Sequence, residues 1–228
     1  MIRQTDINEK MRAILVDWLV DVHIKFKLLD ETLFMTVNLI NRYLEKCDVT
    51  RQNLQLVGVT AMLIASKYEE IYAPKIKDFV YVTDKAYTRK QIKEMEGHML
   101  TILEFKLTTT SAYQFLQRYS NVHDTDEKTY NLARYLIELS LVEYKMLKYT
   151  PSNIAASALY LSSKILKKTP WHGCLEKTAQ YTEHEVRPCA KDLYVLLQNA
   201  PKTSLQAVRK KFSQNKYMEI SKIQFNNS

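Results

Sequence analysis

"AMLIASKYEEIY", residues 61–72, opens as an apolar helix and ends in charge, with Lys67 followed by Glu69 and Glu70. "ALYLSSKILKK", residues 158–168, aligns with it without a gap from Ala61 on Ala158 to Lys67 on Lys164. The second copy keeps the Ser-Lys step and lacks the glutamates. Each copy follows a longer helical pattern and precedes two more. The simplest account is a duplicated five-helix unit, with its boundary near Thr108–Thr110. The expected fold class is therefore all-α, as two tandem five-helix domains. They span residues 1–108 and 109–200, and a basic helix and tail follow over 201–228.

Composition agrees with helices. Only three glycines occur in 228 residues, whereas sheets and phosphate-binding loops draw on glycine at their turns. In the first helix Met11, Ile14, Leu15, Trp18, Leu19, Val22 and Phe26 recur at three- and four-residue steps. A second helix is expected from Glu31 to Leu44. A third runs from Arg51 to Tyr68, apolar nearly all round, so other helices should surround it. A short fourth follows Pro74, and Thr88-x-x-Gln91 is a capping box for a fifth. In the second half, Ser111-x-x-Gln114 and Asp124-x-x-Glu127 open two helices. Thr150-Pro151 and Thr169-Pro170 signal N-caps with proline at the first helical position. Thr182-x-x-Glu185 caps the last long helix, with Pro188 in or near its early turns.

The totals restrict the function. Net charge is +8, which permits an acidic or nucleic-acid partner without demanding one. Much of the excess lies after Pro201, where a solvated basic end is the simpler reading. Three cysteines at scattered positions suggest neither a zinc site nor a disulfide framework, and fit a reducing compartment. No apolar run is long enough to span a membrane. The chain enters its first helix almost at once, so an upstream tail is expected to be missing from it. No phosphate loop, HExxH motif or nucleophile elbow occurs, and the five histidines are scattered. Catalytic residues, a metal and a cofactor are not expected.

Charge in apolar places is the remaining signal. Lys67 ends the most apolar helix, and Glu96 interrupts the stripe of the fifth helix between Ile92 and Leu100. One reading makes Lys67 a helix-dipole partner and Glu96 an internally paired carboxylate. The other makes them polar grips at the lip of an apolar groove, floored by Ile64, Tyr68, Leu100, Phe105 and Leu107. The first helix raises a similar choice. Its Met11–Ile14–Leu15–Trp18 stripe and its Ala13–Val16–Val20 side are either both wrapped, or one is an exposed docking groove.

"MRAILVDWLVDV", "LQLVGVTAMLIASKYEEIYAP" and "FVYVTDKAYTRKQIKEME" resemble the cyclin box of mitotic cyclins. The resemblance extends from about Met11 to Ser221, and "KFKLLDETLFMTVNLI" brings it closer to B-type than to A-type cyclins. It implies a non-catalytic subunit that binds and activates a cyclin-dependent protein kinase in the nucleus and cytoplasm at the G2/M transition. It implies that Lys67 and Glu96 are polar grips on the kinase, with Ile64, Tyr68, Leu100, Phe105 and Leu107 as apolar contacts. Met11, Ile14, Leu15, Trp18, Asp21, Arg51, Leu54 and Gln55 match the patch that docks Arg-x-Leu motifs of substrates and inhibitors. Asp21 replaces a glutamate or glutamine often found there. A second departure is "INRY", where Asn41 replaces the family's aspartate opposite Arg12; Asp17 is a candidate to supply the missing charge. The destruction motif expected upstream of a mitotic cyclin is not in the chain. The alternative is a nucleic-acid-binding adaptor of the TFIIB type, also basic and built from two such folds, although no specific nucleic acid is expected.

Overall fold

The computed structural model describes residues 4–122, 124–168 and 173–223; the Cys174 side chain is not described. His123, His172 and the Thr169-Pro170 cap lie outside the described residues. Among the described residues every regular element is helical. The chain divides into two compact units, Met1–Thr109 and Thr110–Ser228.

The first unit holds α1 (Glu9–Phe26), α2 (Asp30–Lys46), α3 (Arg51–Glu69), α4 (Ile76–Val82) and α5 (Arg89–Ile102). α3 is the hub and packs against the other four. Its residues from Leu56 to Ser66 are all buried, which is why it is apolar on every side. Gly58 allows α1 to approach, because a Cβ there would lie 2.7 Å from Leu15 Cδ1. Gly58→Ala gains helix propensity but drives a buried leucine off its rotamer. A net loss of about 1–3 kcal/mol is expected from overpacking, read as a lowered urea midpoint.

α5 begins with the Thr88–Gln91 capping box, both halves formed. α2 and α3 have no side-chain bond from their own N-cap residues; distant carboxylates replace them. For α3 the donor segment precedes α1. Gln4 Nε2 donates to the Leu44 and Cys47 carbonyls at 2.6 and 2.7 Å, and the Val49 N–H donates to Gln4 Oε1. Thr5 bonds Asp48, and the Arg51 N–H donates to Asp6 Oδ2 at 2.8 Å. Asn8 then caps α1 itself. On α1, Arg12 is 1% exposed and its Nε donates to Asn41 Oδ1 at 2.8 Å. At the "INRY" departure a charge–amide bond therefore stands where the family has a charge–charge pair.

The second unit repeats the plan with α6 (Ala112–Val122), α7 (Glu127–Val142), α8 (Pro151–Ile165), α9 (Gly173–Ala179) and α10 (Glu183–Asn199). α8 is its hub, buried from Ala155 to Ser163 and in contact with α6, α7, α9 and α10. Caps form at Ser111, Thr150 and Thr182, and Pro188 lies inside α10. The expected cap at Asp124 is wrong by two residues. Asp124 is still in the turn leaving α6, with a left-handed φ of 46°, and Asp126 takes the extended cap conformation and accepts from the Thr129 N–H. Burial would raise the Asp126 carboxyl, but its bonds from Lys168 and Thr129 hold it at about 2.

The tail also departs from the solvated reading. α11 (Ala207–Lys211) and two short 3-10 turns fold back against α7. Val208, Phe212, Tyr217 and Ile220 are buried. Lys211, 1% exposed, donates to both oxygens of Glu138 on α7 at 2.7 and 2.9 Å. At least one of the tail's basic residues is thus part of the core.

Candidate protein-docking site

The last turn of α3 and the middle of α5 place Lys67 against Glu96, Nζ to Oε1 2.7 Å. The lysine side chain is 49% exposed and the glutamate 16%, so the pair sits at a rim. Lys67 retains two further N–H donors, and Glu96 a second oxygen. Such a pair is preorganised to accept from and donate to a partner's backbone at once.

Apolar groups flank it unevenly. Tyr68 is half exposed, and its hydroxyl is 2.5 Å from Thr108 Oγ1. Phe105 is 69% exposed and held at a left-handed φ of 54° by the Phe105 N–H bond to the Leu100 carbonyl. Leu100 and Leu107 are partly buried and pack on the core. Ile64 differs from the sequence reading, which placed it on an exposed floor: it is 3% exposed and lies in the core behind the site. Position 64 falls on the inner side of a helix that the other four surround. Sequence reasoning also passed over Ile71 and Tyr72, 89% and 91% exposed, in the turn after α3. The available signal was two bulky apolar residues placed between the end of the helix and Pro74.

Glu70, the second of the acidic pair, has a separate structural purpose. Glu70 Oε1 accepts from the Leu29 N–H at 2.8 Å and from Thr32 Oγ1 at 2.6 Å. It performs for α2 what a capping-box glutamate does within one helix. Burial, then the charges of Glu31 and Glu70, raise the carboxyl of Glu69 above its usual range. Glu70→Ala should cost about 0.5–2 kcal/mol as a lost cap, while Glu70→Gln, which keeps an acceptor, should cost less. Thermal denaturation of the two variants measures the difference.

The second candidate surface lies on α1 and the start of α3. Ile14 is half exposed, Asp21 and Arg51 are exposed, and Met11, Trp18 and Gln55 are partly buried. Leu15 and Leu54 are buried at 6% and 5%, so they lie beneath the surface and do not present a face. Val16 and Val20 are fully buried and Ala13 is partly buried. The choice posed by α1 thus resolves as one wrapped side and one partly open stripe. In the second unit Lys164 has another environment, with Nζ 5.9 Å from the Tyr160 ring centroid, and Tyr160 donates to Glu183 at 2.9 Å. Among the described residues no cluster of metal-ligating side chains occurs and no helix is long and apolar enough to cross a membrane.

A duplicated helical fold with a rim ion pair and exposed aromatic groups forms the candidate docking site. The family model "Cyclin, N-terminal domain" matches residues 1–108, and "Cyclin, C-terminal domain" matches residues 110–226. The chain belongs to the cyclin family. It is 49% identical over 219 residues to a G2/mitotic-specific cyclin-B of Marthasterias glacialis, covering 96% of this chain and 56% of the relative. To that of Hydra vulgaris it is 47% identical over 223 residues, covering 98% and 62%. The chain therefore spans little more than half the length of these relatives. Among solved structures, a viral cyclin from herpesvirus saimiri superposes with a TM-score of 0.78 at 20% identity, over 90% of both chains. A chain of the yeast RNA Pol II CTD kinase CTDK-1 complex superposes at 0.71 and 14% identity, over 90% of this chain and 75% of that one.

Proposed function

We propose that this chain is the regulatory, non-catalytic part of a mitotic cyclin that binds and activates a cyclin-dependent protein kinase in G2/M control. The observation that carries the proposal is the Lys67–Glu96 pair set beside exposed Tyr68 and Phe105. The names of its relatives support the reading, and so does the kinase complex in which one fold neighbour was solved. In the proposed complex Lys67 takes carbonyls and Glu96 takes N–H groups of a kinase helix, while Tyr68, Leu100, Phe105 and Leu107 cover its apolar side. The contact turns that helix so that its glutamate pairs with the ATP-site lysine, which phosphoryl transfer requires. The chain contributes position and supplies no reacting group. The α1–α3 stripe recruits substrates and inhibitors through Arg-x-Leu motifs. The nucleus and cytoplasm are the compartments such a role requires.

The test is reconstitution. Mixed with a purified cyclin-dependent kinase, the chain should co-elute with it on gel filtration and raise phosphorylation of a histone-type substrate. Absence of both a complex and an activity rise would remove the proposal.

A further inference from the structure

Beyond the surfaces already described, the segment before α1 bears on the open stripe. Arg51 is the first residue of α3, and Leu54 and Gln55 follow it one turn on, on the same side of the helix. Its Nε donates to Asp6 Oδ1 at 2.9 Å, while its own N–H donates to the other Asp6 oxygen at 2.8 Å. One carboxylate thus caps α3 with one atom and orients the arginine with the other. The backbone that carries Asp6 is tied down on both sides. Gln4 and Thr5 are bonded to the α2–α3 corner, Ile7 is buried, and Asn8 caps α1. The Arg51 side chain is nevertheless 67% exposed.

We infer that Asp6 is a positioning residue for the α1–α3 stripe, holding Arg51 ready for a docked peptide. The inference rests on the docking reading of that stripe and adds to it a residue outside the stripe. A free surface arginine samples many rotamers, and ordering it on binding costs affinity. Asp6 fixes the guanidinium at Nε during folding and leaves the two terminal nitrogens as donors to an acceptor of the peptide, such as a backbone carbonyl. Those two bonds, the backbone one first, also hold the Asp6 carboxyl below its usual range.

A fluorescent Arg-x-Leu peptide titrated by anisotropy provides the test. Asp6→Asn keeps an oxygen for the Arg51 N–H and removes the charge facing Nε. It should raise Kd roughly two- to fivefold, the scale of an exposed ion pair. Arg51→Ala should also raise Kd. In the Arg51→Ala background the Asp6→Asn step should change nothing further. An unchanged Kd for Asp6→Asn overturns the inference. So does an equal loss in both backgrounds, which would assign Asp6 to helix capping alone. Failure of the unaltered chain to bind the peptide overturns the docking reading and this inference together, and is separable because it needs no variant.

Discussion

Lys67→Glu is expected to weaken the kinase complex by about 2–5 kcal/mol, the range for disrupting a charged, hydrogen-bonded grip that docking desolvates. The substitution puts a carboxylate beside Glu96, where an ammonium stood 2.7 Å away. It also withdraws the donors that would meet partner carbonyls. Glu96→Lys should act equally from the other side. The double exchange, Lys67→Glu with Glu96→Lys, is the discriminating variant. It restores an internal ion pair of opposite polarity, so the fold recovers. It interchanges donor and acceptor against a kinase backbone that has not changed, so affinity stays low. Calorimetric titration of the kinase with the three variants reads the result. If the double exchange regains full affinity, the pair serves only its own unit.

Lys211→Met should destabilise the second unit by about 3–5 kcal/mol, because it breaks a buried ion pair by removing one member. Glu138 and Lys211 are each 1% exposed, and removal of the lysine takes away the ammonium that donates to both carboxylate oxygens. Replacing both residues, Lys211→Met with Glu138→Leu, should recover much of the loss, since well-packed apolar pairs often equal buried ion pairs. Lys90→Ala is the control, because its i,i+4 partner Glu94 is solvent-exposed and the change should cost a few tenths of a kcal/mol. Urea unfolding followed by fluorescence orders the three. Equal midpoints for Lys211→Met and Lys90→Ala would show that water reaches the pair.

The helices were legible where their signals are local. Capping boxes at Thr88 and Thr182 span four residues, and sequence spacing alone specifies them. Asp124 was misread for Asp126 because only Asp124 has a glutamate three residues on, Glu127, whereas Thr129 holds that place after Asp126, and the backbone path out of α6 overrides the motif. The caps of α2 and α3 left no mark near either helix. Glu70 and Asp6 lie about 40 residues away along the chain, and such pairing is decided by tertiary packing. The Glu138–Lys211 bond is a further case, with a separation of 73 residues. At the candidate site Lys67 and Glu96 stood out because charge in an apolar stripe is rare. Ile64 was misplaced because an all-apolar helix gives no periodic sign of which side faces the hub's exterior. Ile71 and Tyr72 were missed because periodicity ends with the helix.

The fold-back of the last segment has a consequence for synthesis. A ribosome releases the chain from the N-terminal end, and domains close in that order. The first unit has its core residues by Leu103 and can close while the rest is still being translated. The second unit closes later, because α7 carries Glu138 from an early stage and Lys211, which bonds both its oxygens, arrives 73 residues on. Until Lys211 has been translated, the nascent second half is without the buried bond that ties its last segment to α7.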